Sequence, residues 1–210
     1  FKQRSFLRDP HVRLLLFTYG LYTFVISGLD DVYALWALSS SPKGGLDWST
    51  KEIGQVLLAS GIMVFAYEVT VLPLLAKRVS MITTQRVVSV VLVLVYPLFP
   101  LLTHLRGTGW PLIAASLTLL FTTFACCDSF YTSFTLAINS ATLLERRGQL
   151  NGLASSVASV ASMVGPAIWS AMFAFSVDRR HYHLFGLPFP IDFHFTFWLM
   201  ALLRLAVACL

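Results

Sequence analysis

Over 210 residues the chain is 57% hydrophobic and only 12% charged, with 17 Phe and a mean hydropathy of +0.74. A soluble domain carries about 25% charged residues, so this composition excludes one and predicts an integral, multi-pass membrane protein whose surroundings are the lipid bilayer. The net charge of +5 does not signal nucleic acid, because Lys and Arg stand at the ends of apolar runs instead of sharing one face.

A helix needs about 20 apolar residues to cross the hydrocarbon. The predicted spans are Val12 to Leu38, Ile53 to Ala76, Ile82 to Thr103, Trp110 to Leu136, Leu150 to Val177 and Phe193 to Leu210, the last being short. Ser49 and Glu52 form a capping-box pattern just before the second. Pro73, Pro97, Pro100 and Pro166 fall inside spans, where the lost backbone bond is taken up by neighbouring helices or by a local bend, while Trp48, Trp110 and Tyr182 sit at boundaries, where amphipathic rings favour the headgroups. Basic residues set orientation. Nine of them (Lys2, Arg4, Arg8, Arg13, Lys77, Arg78, Arg86, Arg146 and Arg147) fall on one side and five (Lys43, Lys51, Arg106, Arg179 and Arg180) on the other, which predicts both ends of the segment on the cytoplasmic side. With Phe1 in place of a starting Met, the chain reads as a piece of a longer protein.

Four carboxylates interrupt the apolar runs: Asp30, Asp31, Glu68 and Asp128. A charge at bilayer depth costs about 2.5 to 3.5 kcal/mol on insertion scales, so such residues face protein or a water-filled path and are candidates for proton coupling or for lining a cavity. Tyr19, Thr23 and Ser27 precede Asp30 by 11, 7 and 3 residues and share its helical face. Asp31 points about 100° away. Asp128 heads a second stripe with Tyr131, Thr132, Thr135 and Asn139 at offsets of 3, 4, 7 and 11. Counted at about 1.5 Å per residue, Asp30 falls near the outer boundary and Asp128 and Glu68 toward the inner side, far from Asp30. Arg204, deep in the last span, reads as a buried counter-ion for one of these acids. The fifth span carries Gly152, Ser155, Ser156, Ser159, Ser162 and Gly165 before Pro166; small residues at this spacing allow close helix contact, and Gly152, Ser156, Gly165 and Pro166 are the candidates for packing or gating.

No enzyme is expected. Ser27-Gly28-Leu29-Asp30 does not match the GxGD of intramembrane aspartyl proteases, and the chain has no GxSxG, HExxH, phosphate loop or TVGYG. His181, His183 and His194 with Asp178 and Asp192 lack a fixed ligand spacing, so no metal site and no cofactor are expected. Cys126, Cys127 and Cys209 lie in apolar segments without a CxxC pair and read as packing residues.

Leu29-Asp30-Asp31-Val32-Tyr33-Ala34-Leu35-Trp36-Ala37, then Gly44-Gly45-Leu46-Asp47-Trp48-Ser49 and Glu52-Ile53-Gly54, resemble the seventh helix and following loop of zinc-induced-facilitator-like and drug:proton antiporter proteins of the major facilitator superfamily. Arg147-Gly148-Gln149-Leu150-Asn151-Gly152-Leu153-Ala154, Ser159-Val160 and Val164-Gly165-Pro166-Ala167 are similar to their eleventh helix. The chain departs from them at Ser162-Met163-Val164, where relatives often have a basic residue, at Ile168-Trp169, where they have Gly-Gly, and at the degenerate turn Lys77-Arg78-Val79-Ser80.

The resemblance implies an all-α membrane protein of six transmembrane helices in two inverted three-helix repeats, residues 1–210 forming the C-terminal half of a twelve-helix transporter. Its partner would be an N-terminal six-helix half outside these residues. It further implies that the first and fourth spans line the central cavity, whereas the second and fifth meet the other half. The expected function is secondary active transport of a small molecule or ion by alternating access, coupled to protons, with antiport and symport both open. The rival reading is a non-transport six-helix scaffold or partner-binding subunit in which the acids only lock helix packing.

Overall fold

The computed structural model describes residues 9–177 and 192–209. Among them the fold is all-α: α1 (Pro10–Leu38), α2 (Thr50–Thr70), α3 (Leu72–Arg78), α4 (Met81–Val95), α5 (Trp110–Ser140), α6 (Arg147–Val177) and α7 (Phe193–Cys209). Five segments are long and apolar enough to cross a membrane: α1, α2, α4 extended to Leu98, α5, and α6 with the turn before it. The sixth expected span is the shorter α7, of 17 residues.

Local chemistry sets the helix ends. Asp9 caps α1 by accepting from the His11 backbone N–H at 2.9 Å, with Pro10 in the first turn, where its missing N–H costs nothing. Ser49 and Glu52 make the full capping box: Glu52 N–H donates to Ser49 Oγ (3.3 Å) and Ser49 N–H donates to Glu52 Oε2 (2.7 Å). The expected second span to Ala76 is interrupted at Val71. Pro73 has no N–H to continue the ladder, and α3 begins afresh. Pro97 and Pro100 likewise end α4 at Val95 and turn the chain into two 3-10 segments, Tyr96–Leu98 and Pro100–Leu105. Pro166 stays inside a continuous α6.

After α1 the chain folds back tightly. Gly44 takes a left-handed φ of 77°, and a β-carbon on Gly45 would strike the carbonyl of Ser39. Trp36 Nε1 donates to Gly44 O at 2.9 Å, fixing this loop onto the wholly buried Trp36 in the last turn of α1.

Small residues bring α1 and α6 together. Gly28 lies under the Trp169 ring, Gly165 against Ser27 and the Phe24 carbonyl, and Gly20 against Val157. Trp169 Nε1 donates to Phe24 O at 3.0 Å. Gly152 has open space around it and Ser156 is exposed, donating only to Gly152 O (2.9 Å). Thus Gly165 packs within this bundle while Gly152 and Ser156 face outward. Much of α2 and α6 is exposed and apolar, including Leu58, Ile62, Phe65, Val160, Met163 and Ile168.

Candidate functional site

The two polar stripes meet through their aromatic members. Tyr19 stacks on Phe134 at 3.9 Å and meets Tyr131 edge-on at 5.8 Å; one turn along, Tyr22 stacks on Phe130 at 3.4 Å and meets Tyr131 edge-on at 5.6 Å. As the number rises on α1 it falls on α5, so the helices are antiparallel. Thr23 is buried, and Ser27 donates back to Phe24 O at 3.3 Å while touching Gly165.

This register revises the expected distance between the acids. Phe130 is level with Tyr22, which sets Asp128 level with Phe24. Asp30 is then only about six residues, roughly 9 Å, further along the bundle axis. Counting from each helix's own end had put them near opposite faces because it assumed level ends, whereas α5 starts further out than α1 stops.

Asp30 and Asp31 are both exposed, as is Glu68, and Asp128 is half-buried. Tyr67 and Ser129 share a 2.7 Å hydrogen bond between α2 and α5, and this brings their chain neighbours Glu68 and Asp128 within electrostatic reach of each other. Below Asp128 on the stripe, Thr132 is half-buried and Thr135 exposed, donating to Tyr131 O at 2.9 Å. Asn139 accepts from Asn151 Nδ2 of α6 at 3.2 Å.

Arg204 is the largest departure from the sequence reading. It is wholly buried, yet among the described residues no carboxylate pairs with it. Its Nε and Nη2 donate to Tyr96 Oη at 3.2 and 3.0 Å, and its guanidinium carbon stands 3.6 Å from the centre of the Tyr22 ring. Phe130 is at 3.4 Å from the same ring, so the two must occupy opposite faces and Tyr22 is sandwiched between them. A desolvated cation over an aromatic face contributes about 2 kcal/mol. The counter-ion expectation is therefore corrected: tyrosines, not acids, receive this charge. A buried Arg in an apolar span was visible in sequence, but Tyr22 and Tyr96 carried no signal marking them as its partners.

His194 pairs with Asp192 at 2.9 Å. His181, His183 and Asp178 lie outside the described residues. Among the described residues no three His, Cys, Asp or Glu side chains gather as a metal site. Cys127 is buried, Cys126 half-buried and Cys209 exposed, all as free thiols.

Antiparallel apolar helices whose polar stripes meet at Tyr19 and Tyr131 invite comparison with membrane carriers. The chain is 26% identical to a probable peptide/nitrate transporter of Arabidopsis thaliana and 28% identical to the protein ZINC INDUCED FACILITATOR 1 of the same plant, each match covering 84% of this chain and 36% of the relative. ZINC INDUCED FACILITATOR-LIKE 1, also from that plant, is 24% identical over 79% of the chain and 34% of its own length. The chain is similar to major facilitator transporters. This major-facilitator-like chain spans about a third of the length of the curated relatives it matches. No family model matches it, and no solved structure matches it significantly.

Proposed function

We propose that the chain is part of a secondary transporter that moves a small solute by alternating access and couples the movement to protons. The observation that carries this reading is the meeting of the α1 and α5 polar faces, with Asp30 and Asp128 about 9 Å apart along the axis and neither paired with a cation among the described residues. A carboxylate at the wall of a low-dielectric cavity can take up a proton on one side and release it on the other as access alternates. Asp30 and Asp128 are the proposed coupling residues, Glu68 and Asp31 accessory acids, and Tyr19, Thr23, Ser27, Tyr131 and Thr132 the wall between them. The exposed apolar faces of α2 and α6 support contact with a further membrane-spanning part, so that residues 1–210 act as one half of two, built from inverted three-helix repeats with both ends cytoplasmic.

The test is flux into proteoliposomes holding the complete protein under an imposed pH gradient. The name of one relative puts nitrate and peptides first among the solutes to try. Asp30→Asn and Asp128→Asn should each abolish the dependence of flux on the gradient. Undiminished, gradient-driven flux in the double variant would remove both residues from the mechanism.

A further inference from the structure

At the end of the bundle where α1 and α4 begin and α5 and α7 finish, a cavity of about 550 Å³ opens among the four helices. It exists because α1 packs mainly on α6 while α4 packs on α5 and α7, and the two groups leave space between them. The volume falls within the about 300 to 1,000 Å³ of ligand pockets. Leu15, Thr18, Phe130 and Val207 line the inside, and the exposed Leu14 and Ile82 flank the opening from α1 and α4. An apolar wall thus runs from the interior out to the surface of the bundle.

Charged groups stand at the rim, where Asp9, His11 and Arg86 are exposed. Asp9 is engaged as the cap of α1, whereas among the described residues no carboxylate pairs with Arg86. One residue before Arg86, Gln85 Nε2 on the cavity wall is buried without a hydrogen-bond partner. An amide N–H group can only donate and is costly to leave unpaired, so this wall lacks an acceptor. The surrounding end is basic: among the described residues Arg13, Lys77, Arg78, Arg86, Arg146 and Arg147 stand there against Asp9 and Glu145. At the other end Lys43, Lys51 and Arg106 are matched by Asp47, Glu52 and Asp192.

The geometry points to a binding site for one anionic phospholipid of the leaflet at this end, with an acyl chain in the cavity, its ester carbonyl accepting from Gln85 Nε2, and its phosphate at the rim beside Arg86 and His11. An apolar slot, then a neutral acceptor, then a negative charge is the order of groups along such a lipid. Basic pockets between membrane helices hold anionic headgroups in this way. A soluble anion would meet Arg86 equally well but would leave the apolar wall of Leu14, Leu15 and Val207 unfilled. The site requires only that the chain lie in a membrane, and it holds whether or not the chain takes part in transport.

The test is binding of labelled phosphatidylglycerol to the purified complete protein in neutral detergent, with phosphatidylcholine of the same acyl chains as comparison. Phosphatidylglycerol should bind about fivefold more tightly, the factor expected of one basic residue at a headgroup. Arg86→Gln, at an exposed position, should remove that preference and leave phosphatidylcholine unchanged. Gln85→Leu should weaken both lipids alike by several-fold, because both carry the ester carbonyl. Arg13→Gln, at the same end but outside the cavity lining, should change neither. Equal binding of the two lipids, indifference to Arg86→Gln and Gln85→Leu, or an equal loss in Arg13→Gln would overturn the site and leave only a diffuse basic surface. Displacement of the lipid by the deacylated headgroup, glycerophosphoglycerol, at equal concentration would likewise overturn the seating of the chain.

Discussion

Gly28 has the Trp169 ring where a β-carbon would stand, and the contact is locked by the Trp169 hydrogen bond to Phe24 O. Gly28→Ala should therefore force α1 from α6, and overpacking of this kind typically costs about 1 to 3 kcal/mol. The purified protein should melt at a lower temperature, whereas Gly148→Ala, with nothing within 4 Å of the added carbon, should not lower it. Little of this was legible in the sequence. The small residues of α6 looked like one set, but Gly152 and Gly165 are 13 residues apart and so point about 220° from each other round a helix. The angle separates the outward pair Gly152 and Ser156 from the inward Gly165; that the inward surface was α1 needed the fold. The same holds for Arg204, whose oddness shows in one dimension while Tyr96, 108 positions away, does not.

Helix boundaries were the most legible elements, because caps and prolines act within about four residues of themselves. The capping box at Ser49 formed as its spacing indicated, and Ser49→Ala should remove the acceptor for Glu52 N–H and cost about 1 kcal/mol, read as a lower thermal midpoint. Prolines were legible as disturbances but not in degree. Pro73 restarts the chain as α3, and Pro97 with Pro100 replaces the expected end of the third span by 3-10 turns. Pro166 leaves α6 unbroken, with its neighbour Gly165 held against Ser27 and the Phe24 carbonyl of α1. The outcome depends on what neighbouring helices supply to the freed backbone, and that is tertiary information.

For the molecule as a whole, hydrophobic runs disclosed an all-α membrane protein and the faces that bear its acids, since both follow from composition and period. Relative height did not, because helices need not start level. What fixes height is the aromatic seam between α1 and α5. Its teeth are unequally spaced: Tyr19 and Tyr22 are three residues apart, about 4.5 Å, while Phe130 and Phe134 are four apart, about 6 Å. Slipped by one turn, Tyr22 would meet Phe134 but Tyr19 would run on to Ile138, and in the other direction Tyr19 would meet Phe130 while Tyr22 lost its ring. The seam works like a vernier scale, on which only one setting aligns both marks. A slip of one turn thus loses a ring contact, and under the proposed alternating access α1 and α5 should travel as one body. A short bifunctional reagent joining Thr18→Cys to Ala137→Cys, which line the same cavity, should leave flux through the complete protein intact; blocked flux would show that the two helices shear. On this scale the rings of the seam serve less as glue than as a graduation that sets the two helices against each other at one height.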